Sequence, residues 1–74
     1  MRQKKTSRRR VEVQVEANSS PRGGWDICIR DAAGHLSDTT CVSRNNVAFK
    51  ATQEAARVLG VPEGRIKINR VVYV

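Results

Sequence analysis

The stretch WDICIRDAAGHLSDTTCVSRNNVAFKATQEAARVLG, residues 25–60, contains both hydrophobic periods in one run. Trp25, Ile27 and Ile29 alternate with Asp26, Cys28 and Arg30, the period of two that marks a half-buried strand. Asp31-Ala32-Ala33-Gly34 suits a type I turn, with Gly34 in the left-handed position of a bulged hairpin. Leu36, Thr40 and Val42 continue inward as another strand, more weakly patterned because Asp38 shares their parity. The period then becomes helical. Lys50, Gln53, Glu54 and Arg57 fall on one arc, and Val47, Ala48, Ala51, Ala55, Val58 and Leu59 fill the other. Half of that apolar set is alanine, so the helix is expected to lie close to a sheet. Asn45 or Asn46 is the expected N-cap, Gly60 the residue that ends the helix, and Pro62 blocks resumption.

On the N-terminal side, residues 10–16 set Val11, Val13 and Val15 against Glu12, Gln14 and Glu16, a first strand. Residues 18–24 are dense in turn formers and read as an exposed loop. Residues 65–74 form a last strand, with Ile66 and Ile68 inward and Arg65 and Lys67 outward. The order β-β-β-α-β predicts a single small α+β domain, a four-stranded mixed sheet with one helix on one face. Two hairpins make the first three strands antiparallel. A right-handed crossover then sets the fourth strand beside the first, parallel to it. Arg65 and Lys67 are thereby expected opposite Glu12 and Glu16 on the open face.

The chain has 74 residues, with 14 Lys and Arg against 7 Asp and Glu, a net charge of +7. Arg2, Lys4, Lys5, Arg8, Arg9 and Arg10 place six of those cations, and no acid, in the first ten residues. Eight basic and seven acidic side chains remain, a net of +1. Residues 1–9 lack hydrophobic periodicity and read as a disordered basic N-terminal arm before a domain over residues 10–74. Such an arm is an electrostatic handle for the phosphates of DNA, RNA or an acidic membrane surface. A solubilising tail or an import-like basic cluster would account for the same charges. Ser43-Arg44-Asn45-Asn46 at the helix start offers a second phosphate contact through Arg44, against ordinary capping with a solvated arginine.

Other functions find less support. Apolar residues make up 39% of the chain, too many for wholly disordered protein, and no apolar run approaches the ~18 residues of a membrane span. The basic start runs into residues 11–15, which Glu12 and Gln14 interrupt, so no secretory signal is read there. The lone His35 sits in or beside a hairpin turn without a nucleophile at a useful spacing, and no catalytic residue is assigned. Cys28, Cys41 and His35 match no closed zinc site, so neither metal nor cofactor is expected. If Asp31 pairs with Leu36, the two sulfurs are diagonal neighbours on the open face. That arrangement predicts reduced thiols and an intracellular, cytoplasmic or nucleic-acid-associated protein; a two-residue slip would instead permit a disulfide.

Trp25, Phe49 and Tyr73 are the only aromatics, and Trp25 shares parity with the core. No stacking platform for single-stranded RNA results. The expected open face combines Glu12, Glu16 and Asp26 with Arg30, Arg65 and Lys67, too acidic a mixture for reading a DNA groove. The basic start, Gly24-Trp25, Arg30-Asp31-x-x-Gly34 and an alanine-containing helix nonetheless loosely resemble the arm-site DNA-binding domain of phage-type tyrosine integrases. That resemblance spans about residues 1–59, would place specificity at Arg30, and leaves out the fourth strand. The element order is also similar to small antitoxin domains of the HicB type, at the level of topology alone.

Residues 70–74 carry apolar side chains on both parities, more than one face can bury, and a bulge near Asn69-Arg70 would re-aim part of them. Val71, Val72, Tyr73 and Val74 are the expected partner interface, with a homodimer as first choice and burial within one chain as the other. Together these features describe a small non-enzymatic nucleic-acid-binding protein. Its cationic arm would hold phosphates while the folded part dimerises and positions the arms. The alternative is a protein-interaction module, an inhibitor, antitoxin or adaptor. It would bind an acidic or other protein partner through the C-terminal strand edge or the helix face of Lys50, Gln53, Glu54 and Arg57.

Overall fold

The computed structural model describes residues 10–74. Three strands, β1 (Val11–Ser19), β2 (Trp25–Asp31) and β3 (Gly34–Cys41), are followed by a 3-10 turn at Arg44–Asn46 and the helix α1 (Val47–Leu59). A second 3-10 turn at Glu63–Arg65 then leads into β4 (Ile66–Tyr73). The sheet order is β3-β2-β1-β4, with β4 parallel to β1 and the other pairs antiparallel. This is the α+β fold expected from the sequence, with α1 packed on one face. No helix among the described residues is long and apolar enough to cross a membrane.

Alternation in β1 and β2 decides the core. Val13, Val15 and Ala17 face the helix from β1, and Ile27 and Ile29 face it from β2; all five are buried. Val47, Ala51, Ala55 and Ala56 close the layer from above. The buried arc is narrower than the expected apolar one, because Ala48 is exposed and Val58 retains 41% exposure. Alanines on α1 leave the helix little bulk to hold it off the sheet, and the largest fully buried side chains are Ile27, Ile29 and Val13 from the sheet and Val47 from the helix.

The β2–β3 hairpin departs from the expected register in a consequential way. Asp31 pairs with Gly34 and Arg30 with His35, but Ile29 then pairs with Ser37, leaving Leu36 as an extra residue in β3. Asp31 Oδ1 accepts from Ala33 N at 2.9 Å, and Gly34 takes φ 122°. Beyond the bulge the parity of β3 is reversed. Leu36 still packs on the core, but Ser37, Thr39 and Cys41 now share its face. Thr40 and Val42, expected inward, are exposed instead, Val42 at 89%.

The bulge also separates the cysteines. Cys28 pairs with Asp38 on the open face, whereas Cys41 pairs with Trp25 on the helix face and donates to Ser43 O at 3.1 Å. Both thiols are free, on opposite sides of the sheet rather than diagonal neighbours.

A second bulge lies in β4. Val13 pairs with Ile68 but Gln14 pairs with Arg70, so Asn69 is the extra residue, where the excess of apolar residues called for one. Its amide donates to Glu12 Oε1 at 3.1 Å. Of the two cations expected opposite Glu12 and Glu16, only Lys67 lies opposite one of these acids, Glu12. Arg65 lies in the preceding 3-10 turn, Glu16 pairs with Val72, and Arg30 lies 4.0 Å from Glu16.

Asn46 is the N-cap residue of α1, one of the two expected, but its side chain makes no capping hydrogen bond; the side-chain cap is supplied by Ser43 to the preceding 3-10 turn. Ser43 Oγ accepts from Asn45 N at 3.2 Å, and Ser43 O accepts from Asn46 N at 2.9 Å. Gly60 ends the helix as expected, at φ 71°, its N–H donating to Ala56 O at 2.8 Å.

Glu54 pins α1 to β3. It accepts from Ser37 Oγ and Arg57 Nη2 at 2.6 Å each, and from Arg57 Nε at 3.2 Å. These donors, Arg57 first, hold its carboxyl below the ordinary value of 4.5. A carboxylate depressed in the folded state stabilises the fold above its ordinary value and loses that contribution as pH falls through the lowered one. Glu54→Gln is therefore expected to lower the melting temperature at neutral pH and converge on the parent in acid. A constant gap from neutral to acid pH in thermal melts would refute this assignment.

Candidate nucleic-acid interface

The cations expected to meet phosphate do not form one patch. Arg2, Lys4, Lys5, Arg8 and Arg9 lie outside the described residues, as does the expected arm over residues 1–9. Arg10 is exposed at the entry to β1. Its nearest basic neighbour by register is Arg65, since Val11 and Ile66 are parallel partners and each follows one of these arginines. Arg44 sits at the other end of the sheet, beyond the far ends of β1 and β4. A nine-residue strand separates the two ends, which is roughly 25–30 Å of extended chain.

Arg44 is engaged at that far end. Its guanidinium carbon lies 4.1 Å from the centre of the Tyr73 ring, and Tyr73 meets Trp25 edge-on at 5.5 Å and 79°. Stacking occupies the face of a guanidinium and leaves its in-plane donors outward. The N–H groups of Asn45 and Asn46 are already satisfied by Ser43, so the capping reading accounts for the helix start. Beside this stack an open cavity of about 910 Å³ is lined by Arg22, Trp25, Val42, Asn46 and Lys50. Trp25 is half-buried, packs against the core and also lines this cavity.

The open face of the sheet is electrostatically mixed. The register places Glu12, Glu16, Asp26 and Asp38 on it against Arg30, Lys67 and Arg70. Arg70 and Asp38 replace Arg65 in the set expected from sequence, and the acids now outnumber the cations four to three. Arg30 and Arg70 flank a shallow cavity of about 230 Å³ that also includes Glu16. The aromatic side chains Trp25 and Tyr73 lie on the helix side of the sheet, and Phe49 is on the helix at 56% exposure.

The four residues of the expected partner interface divide between the faces. Val71 packs on the core, Val72 stands on the open face at 40% exposure, and Tyr73 faces the helix side under Arg44. Val74 is 66% exposed, although its N–H still donates to Ala17 O at 2.8 Å.

One grouping was not legible in the sequence. Cys28, His35 and Asp38 meet on the open face, with His35 Nε2 3.1 Å from Asp38 Oδ1. His35 and Asp38 differ by an odd number of residues and would face opposite ways in a regular strand. The Leu36 bulge brings them together. The available signal was the broken alternation around Asp38, and only a bulge resolves it. Comparison of the chain with protein-family models, curated proteins and solved structures gives no match.

Proposed function

We propose that this chain is a small non-enzymatic nucleic-acid-binding protein that holds phosphates through the cations of residues 1–10. The observation that carries this reading is charge segregation: six cations without an acid in ten residues, against a net of +1 over the remainder. The mixed open face, with four acids against three cations, supports it indirectly, because that face has no surplus of positive charge to attract a duplex by itself. Arg10 and Arg65 extend the basic segment onto the folded domain, and Arg44 adds a contact at the far end. Binding of this kind is driven by counterion release and is weakly sequence-specific. In the same proposal the β4 edge joins two copies, and two basic segments on one assembly gain avidity without new contacts.

The test is a salt series with labelled duplex DNA and single-stranded RNA, comparing the full chain with a variant carrying Gln at positions 2, 4, 5, 8, 9 and 10. Contact with roughly four to six duplex phosphates gives a slope of log K against log salt of about −4 to −5, and the variant should flatten it. Equal, weak binding by both proteins at low salt would reject the proposal. That outcome favours an interaction module instead, for which β4 as an outer strand with exposed Val72 and Val74 is the supporting observation.

A further inference from the structure

We propose that Cys28, His35 and Asp38 form a binding site for a borderline divalent metal ion of the zinc class, with coordination left open on the solvent side. The inference is independent of the nucleic-acid reading. Its first support is the donor set. A thiolate, an imidazole and a carboxylate are the three side-chain ligands zinc uses, and the sulfur disfavours magnesium and calcium. The second is geometry. The three donor atoms lie within 4.8 Å of one another, and the His35–Asp38 pair is already at 3.1 Å. Metal–ligand bonds of 2.0–2.3 Å in a tetrahedron put the donors roughly 3.3–3.6 Å apart. Closing the set therefore needs about 1 Å of side-chain rotation on the sulfur side.

The side chains are free to make that adjustment. His35 and Asp38 are 55% and 68% exposed, while half-buried Cys28 provides a fixed point on β2. The site bridges two strands, since Cys28 and Asp38 are register partners and His35 lies across from Arg30. A cavity of about 460 Å³ adjoins Cys28 and Asp38 and is lined also by Asn18, Asp26 and Thr40. It has room for the ion's remaining water ligands. On binding, the Cys28 thiol releases its proton to solvent, His35 ligates as the neutral imidazole, and Asp38 ligates as the carboxylate. No oxidation change is involved.

Cobalt(II) titrated into the reduced full-length protein provides the test, because cobalt occupies such sites and reports a thiolate ligand by colour. The expected result is one equivalent bound per chain, with a thiolate-to-cobalt charge-transfer band and visible ligand-field bands, both bleached by added zinc. Cys28→Ser should abolish the charge-transfer band, and Cys41→Ser should leave it intact. His35→Ala and Asp38→Asn, changes at exposed positions, should each weaken binding by about ten-fold or more, a loss that even outer-shell partners produce. Circular dichroism of each variant separates lost ligation from lost folding. Absence of the band at millimolar cobalt, or a band that follows Cys41 instead of Cys28, overturns the proposal.

Discussion

Ile29→Ala is expected to cost about 2–5 kcal/mol, while Val42→Ala, just past the end of the adjacent strand β3, should stay within about 0.5 kcal/mol. Ile29 is fully buried in the sheet, with Val15 on one side and Ser37 on the other as register partners. Its neighbours cannot collapse into the space because the backbone ladders on both sides hold the strands apart. Val42 is 89% exposed and loses almost nothing on truncation. A chain of 74 residues has a total stability of about 4–11 kcal/mol. Ile29→Ala therefore removes a large share of it, and a urea midpoint will register the change clearly. The pair of variants also tests the β3 bulge. Uninterrupted alternation would put Val42 in the core, so a cost above about 1 kcal/mol there would refute the reversed parity, since exposed truncations cost far less.

The elements legible in the sequence were those whose signal is local. Regular alternation in β1 and β2 named Val13, Val15, Ile27 and Ile29, and Gly60 with Pro62 marked the helix end. The crossover rule then placed β4 beside β1. Asn69 was recoverable too, because residues 70–74 carried more apolar side chains than one face could bury. What stayed hidden depended on register, a relation between strands that the alternation of either strand cannot give. The single extra residue at Leu36 moved Cys41 to the helix face, turned Thr40 and Val42 outward, and joined His35 and Asp38 to Cys28. Ser43 was passed over as a capping side chain because the three residues of a 3-10 turn stand between it and α1. The candidate interface was legible only as charge: Arg10 and Arg44 are both basic and exposed, but the length of β1 separates them.

The other large effect is expected at Gly24, and the adjacent Gly23 supplies its control. Both glycines have positive φ, 97° at Gly23 and 80° at Gly24. An alanine at either site occupies a backbone region that costs an L-residue about 1–2 kcal/mol. The surroundings differ. A Cβ on Gly23 meets nothing within 4 Å, whereas one on Gly24 would come within 2.7 Å of the carbonyl oxygen of Cys41. That oxygen belongs to the backbone at the end of β3, so relief requires the strand end to move, an overpacking cost of about 1–3 kcal/mol. Gly24→Ala should thus be destabilising by about 2–5 kcal/mol, and Gly23→Ala by the backbone cost alone. The strain also has a route to the helix. Cys41 pairs with Trp25 and its thiol donates to Ser43, whose side chain caps the turn that leads into α1. Trp25 is the only tryptophan, so its fluorescence reports on this corner directly. A shifted Trp25 emission in the folded Gly24→Ala protein, with parent-like emission in Gly23→Ala, is the expected signature. Equal loss of stability in the two variants would show that Cys41 does not limit the space at Gly24, and the link from this loop to the helix cap would fall with it.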